Sequence, residues 1–242
     1  MRVLVTRAER AGQKTAKRLL RSGFEAAMLP LAKPVYAPDH ALTALQQPHS
    51  ALIVTSTEAI ATLAAIKDTL HHHFSTPLFA VGSTTAKAAK ALGFQQVRTA
   101  DGDGAALADL LHVQSQAQHQ ADEAPLLYLA GYPRAKALER ALDTYGMAYR
   151  VCEAYRMETI AYQERDIAQH LDDKPIDAVL LYSAETAKRF CALPFNAKNM
   201  ELFASARFLC LSQNVADPVS PPFNTRLFVA LDPNEESLLS LL

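Results

Sequence analysis

The 242-residue sequence contains no tryptophan, only three cysteines and no long hydrophobic run. Cys152, Cys191 and Cys210 are odd in number, widely separated and without CxxC or Cys/His ligand spacing. This pattern argues against a disulfide framework or a zinc site and is typical of a reducing compartment. No apolar run approaches the ~20 residues of a membrane span, and the N-terminus lacks an apolar signal core. We therefore expect a cytoplasmic protein that does not contact the membrane.

Neither positive nor negative charge is in large excess. The sequence has 24 Lys and Arg residues and 25 Asp and Glu residues, so the formal net charge is −1. This balance gives no global field that would attract nucleic acid. The first 40 residues are locally basic, which favours an anionic ligand or simply marks an exposed helix face. Apolar residues make up 50% of the chain, enough to bury a core in one large domain or two ordinary ones.

A repeated unit dominates the sequence: a short apolar run, then a small or hydroxylated residue, then a segment with helical apolar period. Six such runs occur, at residues 3–5, 51–54, 78–81, 126–129, 178–182 and 208–211. Continuous apolar strands that alternate with helices predict parallel strands buried on both faces, hence a doubly wound α/β fold. The Ser and Thr residues after the strands suit helix N-caps, and Gly23, Gly93 and Gly146 suit helix C-termini.

Some segments depart from this alternation. Residues 33–37 and 152–158 are extended in character and mixed in polarity, so we interpret them as connectors between domains. The polar tract 114–123 predicts an exposed, poorly ordered loop. His71, His72 and His73 are consecutive and cannot share one helix face as metal ligands, so a solvated turn is favoured over a metal site.

In open parallel sheets, ligands bind outside the carboxyl ends of the strands. Here those ends are Thr, Ser and Gly loops that open helices, where backbone N–H groups and the helix dipole suit carboxylates or phosphates. The sequence has no GxGxxG after its first strand, no GxxxxGK[ST] and no GxSxG elbow. The residues alone therefore predict an anion-binding α/β protein, without naming the anion.

The ordered loops resemble those of the uroporphyrinogen-III synthase family over almost the whole chain. The resemblance rests on motifs that are weak singly but specific in their order, namely residues 3–7, 29–31, 52–56, 79–86, 129–131, the Tyr155 segment and 180–183. It implies two flavodoxin-like doubly wound parallel-sheet domains joined by two extended linker strands. The expected outer domain comprises 1–33 and 159–242, the inserted middle domain 38–152, and the linkers 34–37 and 153–158.

The resemblance also implies the reaction. Hydroxymethylbilane, a linear tetrapyrrole, loses its hydroxyl, and the resulting azafulvenium carbon attacks the substituted position of ring D. A spiro intermediate then inverts ring D, and the macrocycle closes with release of a proton, so that one water is lost overall. No metal and no organic cofactor are expected, and the implied protein is a monomer with a possible transient contact to the preceding pathway enzyme.

The family's functional positions carry over to particular residues of this chain. Tyr155 matches the family's linker tyrosine and is the candidate acid for the departing hydroxyl; a packing role in the hinge is the alternative. Thr85 suits carboxylate binding or helix capping. The expected substrate-binding residues are Thr6, Arg7, Ser56, Thr57, Gly82, Ser83, Thr84, Thr85, Gly131, Ser183, Ala184 and Ser212.

Two departures from the family pattern weaken part of this set. Many members have Arg-Gly where this chain has Ala130-Gly131, which removes one cationic contact. The loop 212–216 carries Val215 where the family often has threonine, and three prolines follow it. We therefore expect only backbone contacts from that loop. A non-catalytic anion- or tetrapyrrole-binding module on the same scaffold is the alternative function, and a nucleotide-sugar transferase is disfavoured by the short chain.

Overall fold

The computed structural model describes residues 1–100, 102–118 and 124–242. The chain divides into two compact units. Unit 1 comprises Met1–Lys33 and Glu158–Leu242, and unit 2 comprises Pro34–Met157. The chain thus leaves unit 1 once and returns to it once.

The described residues contain eleven strands, most of them short. They are β1 (Arg2–Val5), β2 (Glu25–Met28), β3 (Ala32–Tyr36), β4 (Leu52–Val54), β5 (Leu78–Val81), β6 (Val97–Ala100), β7 (Leu126–Tyr132), β8 (Tyr149–Thr159), β9 (Ala178–Leu181), β10 (Arg207–Cys210) and β11 (Leu227–Val229). The α-helices are α1 (Glu9–Arg21), α2 (Pro38–Leu45), α3 (Thr57–Ala65), α4 (Ser83–Leu92), α5 (Gly104–Gln118), α6 (Ala137–Thr144), α7 (Glu164–His170), α8 (Ala184–Cys191), α9 (Ala197–Glu201), α10 (Gln213–Ala216) and α11 (Glu235–Leu239).

Unit 1 contains a five-stranded sheet in the order β2-β1-β9-β10-β11, with every neighbouring pair parallel. Numbered within the unit, this is the 2-1-3-4-5 order of flavodoxin-like folds. Strands β1 and β9 are fully buried, as the apolar runs at residues 3–5 and 178–181 predict. One face of the sheet packs on a phenylalanine-rich core that includes Phe190, Phe203 and Phe208, and the other packs on α1 and α11 through Leu19 and Leu238.

Unit 2 contains a six-stranded sheet in the order β6-β5-β4-β7-β8-β3. The pairs from β6 to β8 are parallel, and β4 and β7 lie at the centre. Helices cover both faces, because one core forms around Leu52, Val54 and Leu129 and a second forms around Ile53 and Tyr128 on the opposite face. The predicted doubly wound α/β architecture is confirmed in both units.

The predicted connectors are strands of this sheet. Residues 33–37 lie largely in β3 and residues 152–158 lie in β8, so both carry backbone hydrogen bonds in the sheet of unit 2. Sequence reasoning also missed the edge strands β2, β6 and β11. Their side chains are largely half-buried or exposed, so they lack the continuous apolar run that marks a central strand.

The predicted loop at 114–123 is wrong for residues 114–118, which form the end of α5; residues 119–123 lie outside the described residues. One side of α5 packs against the sheet through Leu107, Ala108 and Leu111. This packing stabilises the helix even though its last residues are polar. The three histidines form a short 3-10 turn with no buried member, as expected. Among the described helices, none is long and apolar enough to cross a membrane.

Candidate active site

Each sheet has a point where the strand order reverses, and this point is where ligands bind in open parallel sheets. In unit 1 it lies between β1 and β9, and in unit 2 between β4 and β7. The carboxyl ends of these strands open into Thr6-Arg7, Ser183, Thr55-Ser56 and the segment that follows Gly131. Most of the predicted site residues therefore lie at the carboxyl edge of one sheet or the other.

Tyr155 lies at the carboxyl edge of unit 2 because of an irregularity in strand pairing. Ala130 pairs with Glu153 but Gly131 pairs with Tyr155, so β8 carries one extra residue, Ala154. Such a bulge re-aims the side chain that follows it. The carbonyl of Ala154 accepts hydrogen bonds from the Thr62 hydroxyl at 3.0 Å and from the Ala37 amide at 2.8 Å, which hold the bulge in place.

Gly131 makes room for the tyrosine ring. A Cβ atom at Gly131 would lie 2.5 Å from the Tyr155 hydroxyl oxygen and 2.7 Å from the ring carbon Cε2. No side chain fits there, so glycine permits the close approach of ring and backbone. The position of Tyr155 thus explains why residue 131, predicted to bind the substrate, is a glycine.

Four hydroxyl groups meet at this edge, and we call Thr55, Ser56, Tyr128 and Tyr155 the hydroxyl cluster. The Thr55 and Tyr128 hydroxyl oxygens are 3.0 Å apart. Burial raises the pKa of Tyr155, a hydrogen bond with Ser56 opposes this rise, and the charge of Glu58 reinforces it. Burial likewise raises the pKa of Tyr128. Both phenols are therefore protonated at neutral pH and can donate a hydrogen bond.

Ser56 and Thr57 open α3 beside this cluster. The Ser56 hydroxyl accepts a hydrogen bond from the Glu58 amide at 3.1 Å, so the predicted N-cap role is confirmed. Thr57 is the first residue of the helix and is half-buried. Tyr36 donates to the Glu58 carboxylate at 2.6 Å, which fixes a negative charge on the first turn of α3.

The loop after β5 presents a helix start to solvent. Gly82 has a φ of 74°, a conformation that favours glycine, and directly precedes α4. Ser83 and Thr84 are exposed, whereas Thr85 is buried inside the first turn. The N-cap position is Gly82 and has no side-chain cap, so the capping role considered for Thr85 is not observed. The first three amides of the helix have no intrahelical acceptor and point out of its N-terminus.

In unit 1 the residues after β1 are occupied by internal contacts. The Thr6 side chain is buried and donates a hydrogen bond to the Leu180 carbonyl at 2.8 Å, linking β1 to β9. The Arg7 guanidinium lies 4.2 Å from the centre of the Tyr182 ring and 3.0 Å from the Glu235 carboxylate. Helix α1 begins after Ala8, which has no capping side chain, so Thr6 is not an N-cap.

Glu235 is the centre of this arrangement. Its carboxylate accepts hydrogen bonds from Thr15 at 2.6 Å, Tyr182 at 2.8 Å and Arg18 at 2.6 Å, in addition to Arg7. Burial alone would raise the pKa of Glu235, but these donors outweigh it and hold the pKa below its ordinary value. Burial is also the main cause that raises the pKa of Tyr182.

The remaining loops of unit 1 differ from each other. Ser183 is exposed and caps α8 by accepting a hydrogen bond from the Thr186 amide at 3.1 Å; Ala184 is the first residue of that helix. Ser212 precedes α10, which has only four residues and no side-chain cap. Val215 is buried in the core, and Pro218 follows within three residues. Ser212 therefore sits at a truncated helix start.

Sequence reasoning missed three groups that the fold brings to these edges, Glu235 in unit 1 and Arg134 and Arg156 in unit 2. Asn234 caps α11 through the Ser237 amide at 2.8 Å, and this Asn-Glu pair was a visible sign of a helix start. The partners of Glu235, on α1 and directly after β9, are more than 50 residues away, and no local pattern shows them. Among the described residues, no three His, Cys, Asp or Glu side chains converge as metal ligands.

Comparisons with known proteins show the family to which the chain belongs. A family described as uroporphyrinogen-III synthase HemD matches residues 13–240. The fold is similar to that of uroporphyrinogen-III synthetase from Helicobacter pylori, with a TM-score of 0.65, 18% sequence identity, and coverage of 99% of this chain and 96% of that one. It is also similar to a mutant uroporphyrinogen III synthase from the extremely thermophilic bacterium Thermus thermophilus, with a TM-score of 0.55, 17% identity, and coverage of 100% and 96%.

A comparison with curated protein sequences finds no match. At these identities the solved structures establish the shared fold, while the family match, which spans most of the chain, establishes the family. The family match favours a synthase over a non-catalytic binding module on the same scaffold. The chain belongs to the uroporphyrinogen-III synthase family, whose members cyclise hydroxymethylbilane.

Proposed function

We propose that this chain carries out its family's reaction with Tyr155 as the acid and the helix-start loops as a clamp for the substrate's carboxylates. The observation that carries the proposal is the placement of Tyr155 over Gly131, at the carboxyl edge of unit 2 and within the hydroxyl cluster. The Tyr155 phenol lies at this edge because of the bulge at Ala154 and because residue 131 is a glycine.

The proposed acid step is a proton transfer from Tyr155. The phenol donates its proton to the hydroxyl group of hydroxymethylbilane, the carbon–oxygen bond breaks, and water and an azafulvenium cation form. The Ser56 hydroxyl stabilises the phenolate through a hydrogen bond. The proton released when the macrocycle closes restores the phenol. A positioned acid of this kind typically contributes ~10²–10⁴-fold to a rate.

The proposed clamp controls which product forms. The linear substrate closes readily on its own to the uninverted isomer, so the enzyme must hold a conformation in which attack on the substituted ring D carbon is the nearer one. The first amides of α4, with the side chains of Ser56, Thr57, Ser83 and Thr84, are suited to hold carboxylates at unit 2. At unit 1 we propose Ser183, Ala184 and the Arg7 edge as further contacts, with Ser212 limited to its backbone.

Product analysis tests the proposal. The purified chain is given hydroxymethylbilane, and isomers I and III are separated after oxidation to the porphyrins. We expect isomer III to dominate, with isomer I at the level of the uncatalysed reaction. Production of isomer I alone, at the rate seen without protein, would show that this chain is a binding module and not a synthase.

Oligomeric state and location belong to the same proposal. All three cysteines are unpaired, which supports a reducing, cytoplasmic setting. A monomer and a transient contact with the preceding pathway enzyme stay predictions. Sedimentation of the purified chain, alone and with that enzyme, tests both, and a single species near 26.4 kDa is expected for the chain alone.

A further inference from the structure

Five charged side chains gather at the carboxyl edge of β7 and β8, and we call Arg134, Lys136, Glu139, Glu153 and Arg156 the edge charge cluster. It follows Tyr132, the last residue of β7, which pairs in register with Arg156 of β8. None of these residues is among the predicted site residues. The cluster holds three cations and two anions, so it keeps one positive charge in excess.

Arg156 is the least closely paired of the three cations, because the other two share the Glu139 carboxylate at short distances. One oxygen of the buried Glu139 carboxylate accepts from Arg134 at 3.0 Å and from Lys136 at 2.8 Å. These two cations hold the pKa of Glu139 below its ordinary value against the opposing effect of burial. Arg134 also lies 3.4 Å from Glu153 and 3.3 Å from the Gly131 carbonyl, and its side chain is only 14% exposed.

Arg156 is held differently. Its guanidinium lies 4.8 Å from the centre of the Tyr132 ring, and its nearest carboxylate oxygen, on Glu153, is 3.6 Å away. The Arg156 side chain is 58% exposed and Tyr132 is 47% exposed, so this is an accessible cation on an aromatic support. A long, exposed ion pair of this kind contributes little and is easily exchanged for another anion.

A guanidinium stacked on a tyrosine keeps its N–H groups in one plane, available for two parallel hydrogen bonds to a carboxylate. Arg156 follows Tyr155 in the same strand, and successive side chains point to opposite faces of a sheet, so this planar donor lies at the same carboxyl edge as the proposed acid but on the other face. We infer that Arg156, supported by Tyr132, binds a carboxylate side chain of the substrate. This inference rests on the proposed function, and it assigns a cationic contact to an edge whose Ala130 lacks one.

The test compares Arg156→Ala with Arg98→Ala. Arg98 is an exposed arginine of the same unit on the edge strand β6, so its removal changes the net charge equally. Loss of a charge-assisted hydrogen bond predicts that Arg156→Ala raises KM for hydroxymethylbilane about tenfold, with kcat changed less than about twofold. Arg98→Ala is expected to keep both values, and Arg156→Lys to regain part of the lost affinity, because it keeps the charge without the planar donors.

Equilibrium binding of a stable octacarboxylic porphyrin, followed by its fluorescence, gives a readout that does not need turnover. We expect the dissociation constant to rise about tenfold in Arg156→Ala and to depend less on salt than in the unsubstituted chain. Equal dissociation constants for Arg156→Ala and Arg98→Ala would overturn the inference, whatever the products. Absence of isomer III from the unsubstituted chain would instead count against the proposed function alone.

Discussion

The two carboxyl edges use their charged and hydroxylated side chains in different ways. At the unit 1 edge, Arg7, Arg18, Tyr182 and Thr15 all converge on Glu235, and the Thr6 hydroxyl bonds to Leu180. At the unit 2 edge, Tyr155 stands over Gly131 beside other hydroxyl groups, and Arg156 is paired only weakly. From this difference we propose that polar groups of unit 1 mainly stabilise the fold, whereas polar groups of unit 2 contact the ligand.

Gly131→Ala tests the unit 2 side of this comparison and carries a large expected effect on turnover. The new Cβ must displace the Tyr155 ring, so we expect turnover to isomer III to fall about 10–100-fold. Adding Tyr155→Phe to this variant is expected to change little further, because both substitutions disable one group.

The matched control is Gly104→Ala, where a Cβ would lie 2.8 Å from the Leu138 Cβ at a helix contact in the same unit. It is expected to lower the melting temperature without a selective loss of kcat. Similar kcat losses in the two variants would mean that residue 131 matters only for packing.

Glu235→Gln tests the unit 1 side and carries the next effect. Since glutamine carries no negative charge and cannot form the ion pairs with Arg7 and Arg18, we expect the free energy of unfolding at pH 7 to fall by about 1–3 kcal/mol. The folded-state pKa of Glu235 is depressed, so its contribution is present above the unfolded pKa of about 4.3 and is lost as pH falls through the folded pKa. Urea unfolding at pH 7 and pH 3 should therefore show a difference that shrinks at the lower pH.

The control for this variant is Glu236→Gln, the exposed neighbour on the same helix turn. It is expected to change stability by less than about 0.5 kcal/mol. An equal loss in both variants would show that the convergence on Glu235 contributes nothing beyond ordinary surface charge.

Ser212→Ala carries the smallest expected effect. The Ser212 hydroxyl caps no amide and α10 has four residues, so only the backbone of this loop is suited to contact the substrate. We expect kcat and KM to stay within about twofold. A tenfold or larger rise in KM would return this loop to the set of side-chain contacts.

The central strands and the helix starts were predictable, because β1, β4 and β9 are buried on both faces and read as unbroken apolar runs. Ser56 and Ser183 were predictable as N-caps because each stands between an apolar run and a helical segment. The close packing of Tyr155 on Gly131 was not predictable, since it depends on a bulge in β8 and joins two residues that are 24 positions apart in sequence. The convergence on Glu235 joins residues at both ends of the chain, and no local pattern contains it.

The most direct test of the account compares two tyrosines, one at each edge. Tyr155→Phe and Tyr182→Phe each remove a single hydroxyl oxygen, but the Tyr182 hydroxyl is already bonded to Glu235 at 2.8 Å. With kcat for isomer III measured at equal folded protein, Tyr155→Phe is predicted to lose about 100-fold, and Tyr182→Phe less than about threefold, with a lower melting temperature. Full turnover in Tyr155→Phe would contradict the account by removing its acid from the reaction.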